Sequence, residues 1–197
     1  MKKTIITIGR EFGSGGREIG LKLSEKLAIP FYDKDLILHT AEKANLEKSI
    51  VERYDEQHAF PAFSSTNIFD IYQMPMSDRI YLAQADVIRS LAEKGSCIIV
   101  GRCANYILSG ETSCFNVFIH APMADKIKRK RVLLTGKSDS EIEAHIKKID
   151  KKRSKYYSYY TDGVWGAAQT YHMSIDSSVL GIDGTVELII KALEMRK

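Results

Sequence analysis

The sequence predicts an α/β domain, a parallel sheet with helices on both of its faces. Three observations carry that expectation. Short apolar, β-branched runs recur along the chain, and amphipathic helical stretches separate them. The first run ends in a glycine-rich turn, GREFGSGG over residues 9–16, from which a helix departs. Parallel strands need a crossover between them, and a helix is the usual one.

The elements follow in order. Thr4 to Ile8 (TIITI) is an apolar run fit for a buried strand. Arg17 to Ala28 carries Ile19, Leu23 and Leu27 at four-residue spacing, one face of a helix that Pro30 closes. Phe31-Tyr32 is a short second strand running into Asp33. Residues 33–95 read as mainly helical, with an irregular, loop-like stretch from Phe60 to Met76 that carries Pro61, Ser64, Ser65 and Pro75. Cys97 to Val100 (CIIV), bounded by Gly95 and Gly101, reads as a buried strand, and Asn116 to His120 (NVFIH) as another. Pro122 and Met123 open a basic helix to about Leu134. Ser138 to Glu141 is a capping-box pattern for a helix running toward Tyr160. Met173 to Ile175 is a final short strand, and Ile182 to Met195 a closing helix with Val186, Ile189, Ile190 and Leu193 inward.

Composition excludes several classes of protein. The chain has 197 residues, 44% hydrophobic and 27% charged, which suits one domain and argues against disorder. No apolar run approaches the roughly 18 residues of a membrane span, so no membrane partner is expected. The three cysteines, Cys97, Cys103 and Cys114, form no CxxC pair. Reduced thiols in a cytoplasmic protein are therefore expected, rather than a disulfide framework or a zinc ribbon. The five histidines show no HxxxH spacing. Between Lys126 and Lys155 stand 12 Lys/Arg and 4 Asp/Glu, a local +8 in a chain of net +4. Such a segment fits an anionic ligand, and it also fits a solvated helix face.

The chemistry is concentrated at Gly13-Ser14-Gly15-Gly16-Arg17. Glycines let several N–H groups converge on one phosphate, and the following helix adds its dipole. The turn departs from the regular G-x-x-x-x-G-K-[ST] loop: Gly16 stands in the lysine position, and Arg17 in that of the Mg²⁺-holding Ser/Thr. A tight turn that merely starts a helix is the plain alternative.

Beyond this turn, residues 6–37 (ITIGREFGSGGREIGLKLSEKLAIPFYDKDLI), 98–108 (IIVGRCANYIL), 117–132 (VFIHAPMADKIKRKRV), 156–166 (YYSYYTDGVWG) and 175–183 (IDSSVLGID) resemble the cytidylate kinase-like family. The resemblance extends from residue 4 to about 190 and is weakest between 45 and 78. It implies a three-layer α/β/α fold with five parallel strands, a phosphate loop, a nucleoside-monophosphate (NMP)-binding lobe over 33–95 and a lid over about 136–170, all in one domain over 1–197. It implies that Gly13, Ser14, Gly15, Gly16 and Arg17 surround the phosphates of ATP, with Mg²⁺ as companion ion. Gly101-Arg102 resembles the Gly-Arg-Asp turn whose arginine grips the monophosphate, with Cys103 in place of the aspartate. Asp150 and Arg153 match the Asp-x-x-Arg of the lid helix, where the arginine steadies the transferring phosphoryl group. Arg79 is a looser match to a further substrate arginine, and Asp33 and Asp35 follow the second strand where the acceptor is met. The Asp-Thr-Gly-x-x-Tyr-Arg pattern of cytidylate kinases is absent, and Ala167 and His172 stand where acidic residues would be expected.

The expected activity is phosphoryl transfer from ATP to a nucleoside monophosphate, CMP or dCMP first, or to a similar small phosphorylated acceptor. That reaction needs alignment and positive charge more than covalent help. Arg102, Arg129, Arg131 and Arg153 are candidate clamps; Arg129 and Arg131 are alternatively solvated and Arg153 paired with Asp150 or Glu143, while Arg102 follows a buried strand where α/β domains place ligands. Arg17 is the candidate substitute for the loop lysine, and the Mg²⁺ ligands stay open among Ser14, Asp33, Asp35 and water. Trp165 and Tyr156, Tyr157, Tyr159 and Tyr160 suit base stacking, lid packing or a contact between copies, so a homo-oligomer stays open. Two rival readings are a non-catalytic nucleotide sensor with an altered loop, and a nucleic-acid binder using residues 126–160. The near-neutral overall charge speaks against the second.

Overall fold

A computed structural model describes residues 3–33 and 75–196. Five strands, β1 (Ile5–Arg10), β2 (Phe31–Tyr32), β3 (Cys97–Val100), β4 (Cys114–His120) and β5 (Met173–Asp176), form one sheet in the order β2-β3-β1-β4-β5. Every pairing is parallel. Helices α1 (Gly16–Leu27), α2 (Met76–Lys94), α3 (Ala104–Ile107), α4 (Met123–Arg131), α5 (Asp139–Thr161) and α6 (Ser177–Met195) complete the described residues, with a 3₁₀ turn at Ala168–Thr170.

Alternation along the strands divides the core between the two faces of the sheet. Ile6 and Ile8 of β1 join Ile98, Val100, Val117, Ile119 and Ile175, and α1 and α6 cover this face with Ile19, Leu23, Val186 and Ile189. Ile190 and Leu193, expected inward, pack at its margin. Ile5, Cys97, Ile99 and Cys114 point the other way, under Val87, Ile88 and Leu91 of α2 and Ala104 of α3. This is the three-layer α/β/α arrangement the sequence predicts. Truncating one of these fully buried isoleucines to alanine removes about 2–5 kcal/mol.

The differences from the expected elements have local causes. β1 runs two residues past Ile8 because Gly9 and Arg10 continue the ladder with Phe118 and Ile119 of β4. The closing helix begins at Ser177 rather than Ile182, with its N-cap at Asp176 and a break at Gly181. The capping box at Ser138 is present: the Glu141 carboxylate accepts from the Ser138 N–H at 2.8 Å while Ser138 Oγ accepts from the Glu141 N–H at 3.4 Å. The short α3 carries too few residues to show a period. The irregular stretch read between Phe60 and Met76 lies almost wholly outside the described residues, as does Asp35.

Candidate functional site

β1, β2, β3 and β4 all end on one side of the sheet, where the loop after β1, Asp33 after β2, Arg102 after β3 and side chains of α4 and α5 line a cleft of about 740 Å³. The loop after β1 leads straight into α1. The first N–H groups of that helix have no partner within it, so they face the cleft as donors. Gly15 is the N-cap at φ 84°, where a side chain would be strained, and a Cβ there would stand 2.4 Å from Arg129 Nη1 and 2.3 Å from Ile182 Cδ1. The glycine thus lets an arginine from α4 lie directly on the loop backbone. Ser14 is buried: its Oγ donates to the Glu11 carbonyl at 2.9 Å, and Ser177 Oγ donates to the Ser14 carbonyl at 2.6 Å.

A buried ion network fastens this loop from behind. Lys126, 5% exposed, donates to Glu11 Oε2 at 2.9 Å and to Asp150 Oδ2 at 3.3 Å. The Phe12 N–H donates to the other Asp150 oxygen at 2.7 Å, and the Ala121 N–H to Glu11 at 3.3 Å. Burial pushes the Asp150 carboxyl above the usual range, and the Phe12 N–H, Lys126 and Arg153 pull it back. One turn along α5, Arg153 Nη1 donates to the Arg10 carbonyl at 3.1 Å. Nothing in the sequence singles out Lys126, which stands in one basic segment with Lys128 and Lys130.

The cleft is cationic. Arg10, Arg17, Arg102, Arg129, Lys130 and Arg153 line it, against the carboxylates of Glu11, Glu18 and Asp33. Lys130 Nζ lies 4.3 Å from the centre of the Phe12 ring, and burial followed by the Arg153 charge holds its pKa below the ordinary lysine value. Arg102 and Cys103 both adopt left-handed backbone, φ 59° and 54°, directly after Gly101 at φ 83°. Non-glycine residues in that region cost about 1–3 kcal/mol each and persist where the surroundings hold them. Here the turn presents Arg102 to the cleft while Cys103 turns into the core.

The remaining expected residues divide between the rim of the cleft, where Arg17 stands, and the surface away from it. Arg17 pairs with Asp33 at 2.5 Å and lies over the Phe31 ring, with its side chain 58% exposed. Arg131 is bound by Asp139 on the surface. Arg79, in the first turn of α2, is not among the residues lining the cleft. The basic run 126–155 is therefore no single stripe: one lysine is buried, two cations of α4 and one of α5 face the cleft, and Lys147 pairs with Glu143. Two tyrosines of α5, Tyr156 and Tyr160, pack on α2, while Tyr157 accepts from Asn105 Nδ2 of α3 at 2.9 Å. Tyr160 stacks on Tyr81 with ring centres 3.9 Å apart and donates to Asp78, while Tyr156 donates to Gln84 at 3.1 Å. Trp165 meets Phe118 edge-on.

Beside the cleft is a small pocket of about 40 Å³, sharing Arg10, Arg102 and Arg153 with it and walled by Tyr156, Tyr157, Trp165 and Tyr171. The cradle at Gly15 and the cations around it fit a polyphosphate such as that of ATP. They do not by themselves make a resident Mg²⁺ site: Asp33 is paired with Arg17, and no cluster of three metal-ligating side chains occurs among the described residues.

The chain matches the model of the cytidylate kinase-like family over residues 5–179. Among curated proteins none matches it. Among solved structures it is similar to an uncharacterized protein from Eubacterium ventriosum, at 31% identity over 98% of this chain and 100% of that one, with a TM-score of 0.76. Shikimate kinase from Bacteroides thetaiotaomicron follows at 16% identity, covering 98% and 99%, with a TM-score of 0.57. The YorR protein of Bacillus subtilis, solved with phosphorylated GDP, has 17% identity, 98% and 96% coverage and a TM-score of 0.51. The latter two likenesses are of fold, and no described helix is long and apolar enough to cross a membrane. With its glycine loop, its order of strands and a match over most of its length, this chain belongs to the cytidylate kinase-like family.

Proposed function

We propose that the protein is a phosphotransferase that moves the γ-phosphoryl group of ATP to a nucleoside monophosphate, CMP or dCMP first, or to a similar small phosphorylated acceptor. The observation that carries this reading is the convergence of six cationic side chains around a glycine loop at the carboxyl ends of the strands. A triphosphate and a phosphorylated acceptor bring several negative charges together, and that repulsion is what such a lining offsets.

The loop from Gly13 to Gly16 holds phosphate oxygens with its N–H groups, and Arg129 lies against it. Arg102, presented by its strained turn, and Arg153, anchored on the Arg10 carbonyl, stand between donor and acceptor sides. Asp150 acts through the loop, by holding Phe12. Mg²⁺ would arrive with ATP, held chiefly by phosphates and water. Residues 33–95 form the acceptor lobe and about 136–170 the lid in this reading. The buried, unpaired cysteines accord with a cytoplasmic protein.

The test is ADP release from Mg-ATP with a panel of nucleoside monophosphates and small phosphorylated metabolites. Acceptor-dependent ADP that falls in Arg153→Ala supports the reading. A second reading is favoured by one observation, the pairing of Arg17 with Asp33 beside a loop that lacks its lysine. It is a sensor that binds ATP and transfers nothing, and ATP binding without ADP release for any acceptor would establish it.

A further inference from the structure

The regular phosphate loop places a lysine directly after its last glycine, where it reaches the β- and γ-phosphates. That position is Gly16 here, and the structure gives a reason for glycine there other than backbone freedom. Gly16 opens α1 and is absent from the residues with positive φ. The space is what excludes a side chain: a Cβ on Gly16 would stand 2.6 Å from Arg10 Cβ and 3.1 Å from Arg10 Cγ. The stem of Arg10 already fills the volume in which a residue-16 side chain would begin.

From there the guanidinium crosses the carboxyl edge of the sheet from β1 to the end of β3. A Cβ on Gly101 would meet Arg10 Nη1 at 2.0 Å and Cζ at 3.0 Å, so the head group lies against the glycine preceding Arg102. Arg10 lines both the main cleft and the small pocket beside it, and its own carbonyl is held by Arg153. Arg17 leaves the loop in another direction, toward Asp33 and Phe31.

We infer that Arg10, delivered from the end of β1, takes the place of the loop lysine and binds the terminal phosphates of the nucleotide. This rests on the kinase reading above for the identity of the ligand. The positive charge is kept, but it comes from a rigid strand end and as a planar, bidentate group, which suits two oxygens of one phosphate or a bridge between two. Gly16 and Gly101 are then the two clearances that this single side chain requires.

The experiment is calorimetric titration of wild type, Arg10→Ala, Arg10→Gln, Arg17→Ala and the exchange Arg10→Gly/Gly16→Lys with ATP, ADP and AMP. Arg10→Gln keeps the stem beneath Gly16 and removes the charge, so it separates binding from packing. Both single Arg10 variants are expected to lose ATP affinity about 10- to 100-fold while AMP affinity changes far less. The loss should exceed that of Arg17→Ala, and the exchange variant should recover part of it. Wild-type binding of ATP that Arg10→Gln matches, or an equal loss for ATP and AMP, would overturn the assignment of Arg10 alone. Absence of ATP binding in the wild type would overturn the kinase reading and this inference with it.

Discussion

The main-chain N–H of Phe12 donates to Asp150 at 2.7 Å, a bond between the glycine loop and a helix 138 residues away in sequence. Lys126 closes the same contact from α4. The loop's shape is therefore set by a buried charge network behind it as well as by its glycines.

Lys126→Met should lower stability by about 3 kcal/mol, the low end for breaking a buried pair, because it leaves two half-buried carboxylates without their shared cation. Its pH dependence has a definite sign. Without Lys126 the Asp150 carboxyl is pushed further up, and a group whose folded pKa lies above its unfolded value contributes stability that is lost as pH rises. The deficit in urea midpoint should thus be smaller near about pH 5 than near about pH 8. A deficit independent of pH would count against this network.

Gly15→Ala and Gly136→Ala place the same methyl group at φ 84° and 83° respectively, but only Gly15 has neighbours there. Gly136→Ala should cost about 1 kcal/mol from backbone strain alone. Gly15→Ala should in addition abolish ATP binding, since Arg129 must withdraw. Calorimetry with ATP on both variants checks this, and equal behaviour would show that the cradle plays no part.

Arg153→Ala should lower kcat for the best acceptor by about 100- to 1,000-fold, with a smaller change in KM for ATP. Arg153→Lys should recover little, because the contact to the Arg10 carbonyl and the cleft together need the planar head group. A purely structural arginine would raise KM and lower the urea midpoint instead.

Lys130 gives the cleft a measurable alkaline titration. Burial lowers its folded pKa below 10.5, and a bound polyphosphate would raise it again. ATP affinity should therefore fall as pH rises through the depressed value, with proton uptake on binding in that range. Titration in buffers of different ionisation enthalpy reads the uptake directly, and Lys130→Arg should remove it.

The three thiols should resist alkylation in the native protein. Burial pushes Cys97 to about 11 and Cys103 and Cys114 to about 12, leaving almost no thiolate near neutrality. Mass spectrometry after iodoacetamide treatment near about pH 8 should find them unmodified until denaturant is added. Rapid native labelling of Cys103 would show that the turn after β3 opens.

Much of the fold was legible because its signals are local. CIIV between Gly95 and Gly101 is too short for a buried helix and reads as a strand, and Ser138 with Glu141 marks the start of α5 by a bond that spans three residues. The glycine loop and Arg102 were legible for the same reason, each standing next to its strand. Ser177 as the true start of α6 was not, because the break at Gly181 interrupts the period just where the helix begins.

What the sequence determined by itself is thus the order of strands and helices, the position of the glycine loop and the family. Which cation serves which purpose was decided only by tertiary structure. Among the lysines and arginines of 126–155, the chain marks no difference between buried Lys126, cleft-lining Arg129 and surface-bound Arg131. Arg10 and Arg17 flank one glycine loop and read alike, yet one crosses to Gly101 and the other turns to Asp33. A charge acquires its role from what it faces, and residues more than a hundred positions apart decide that when the sheet closes.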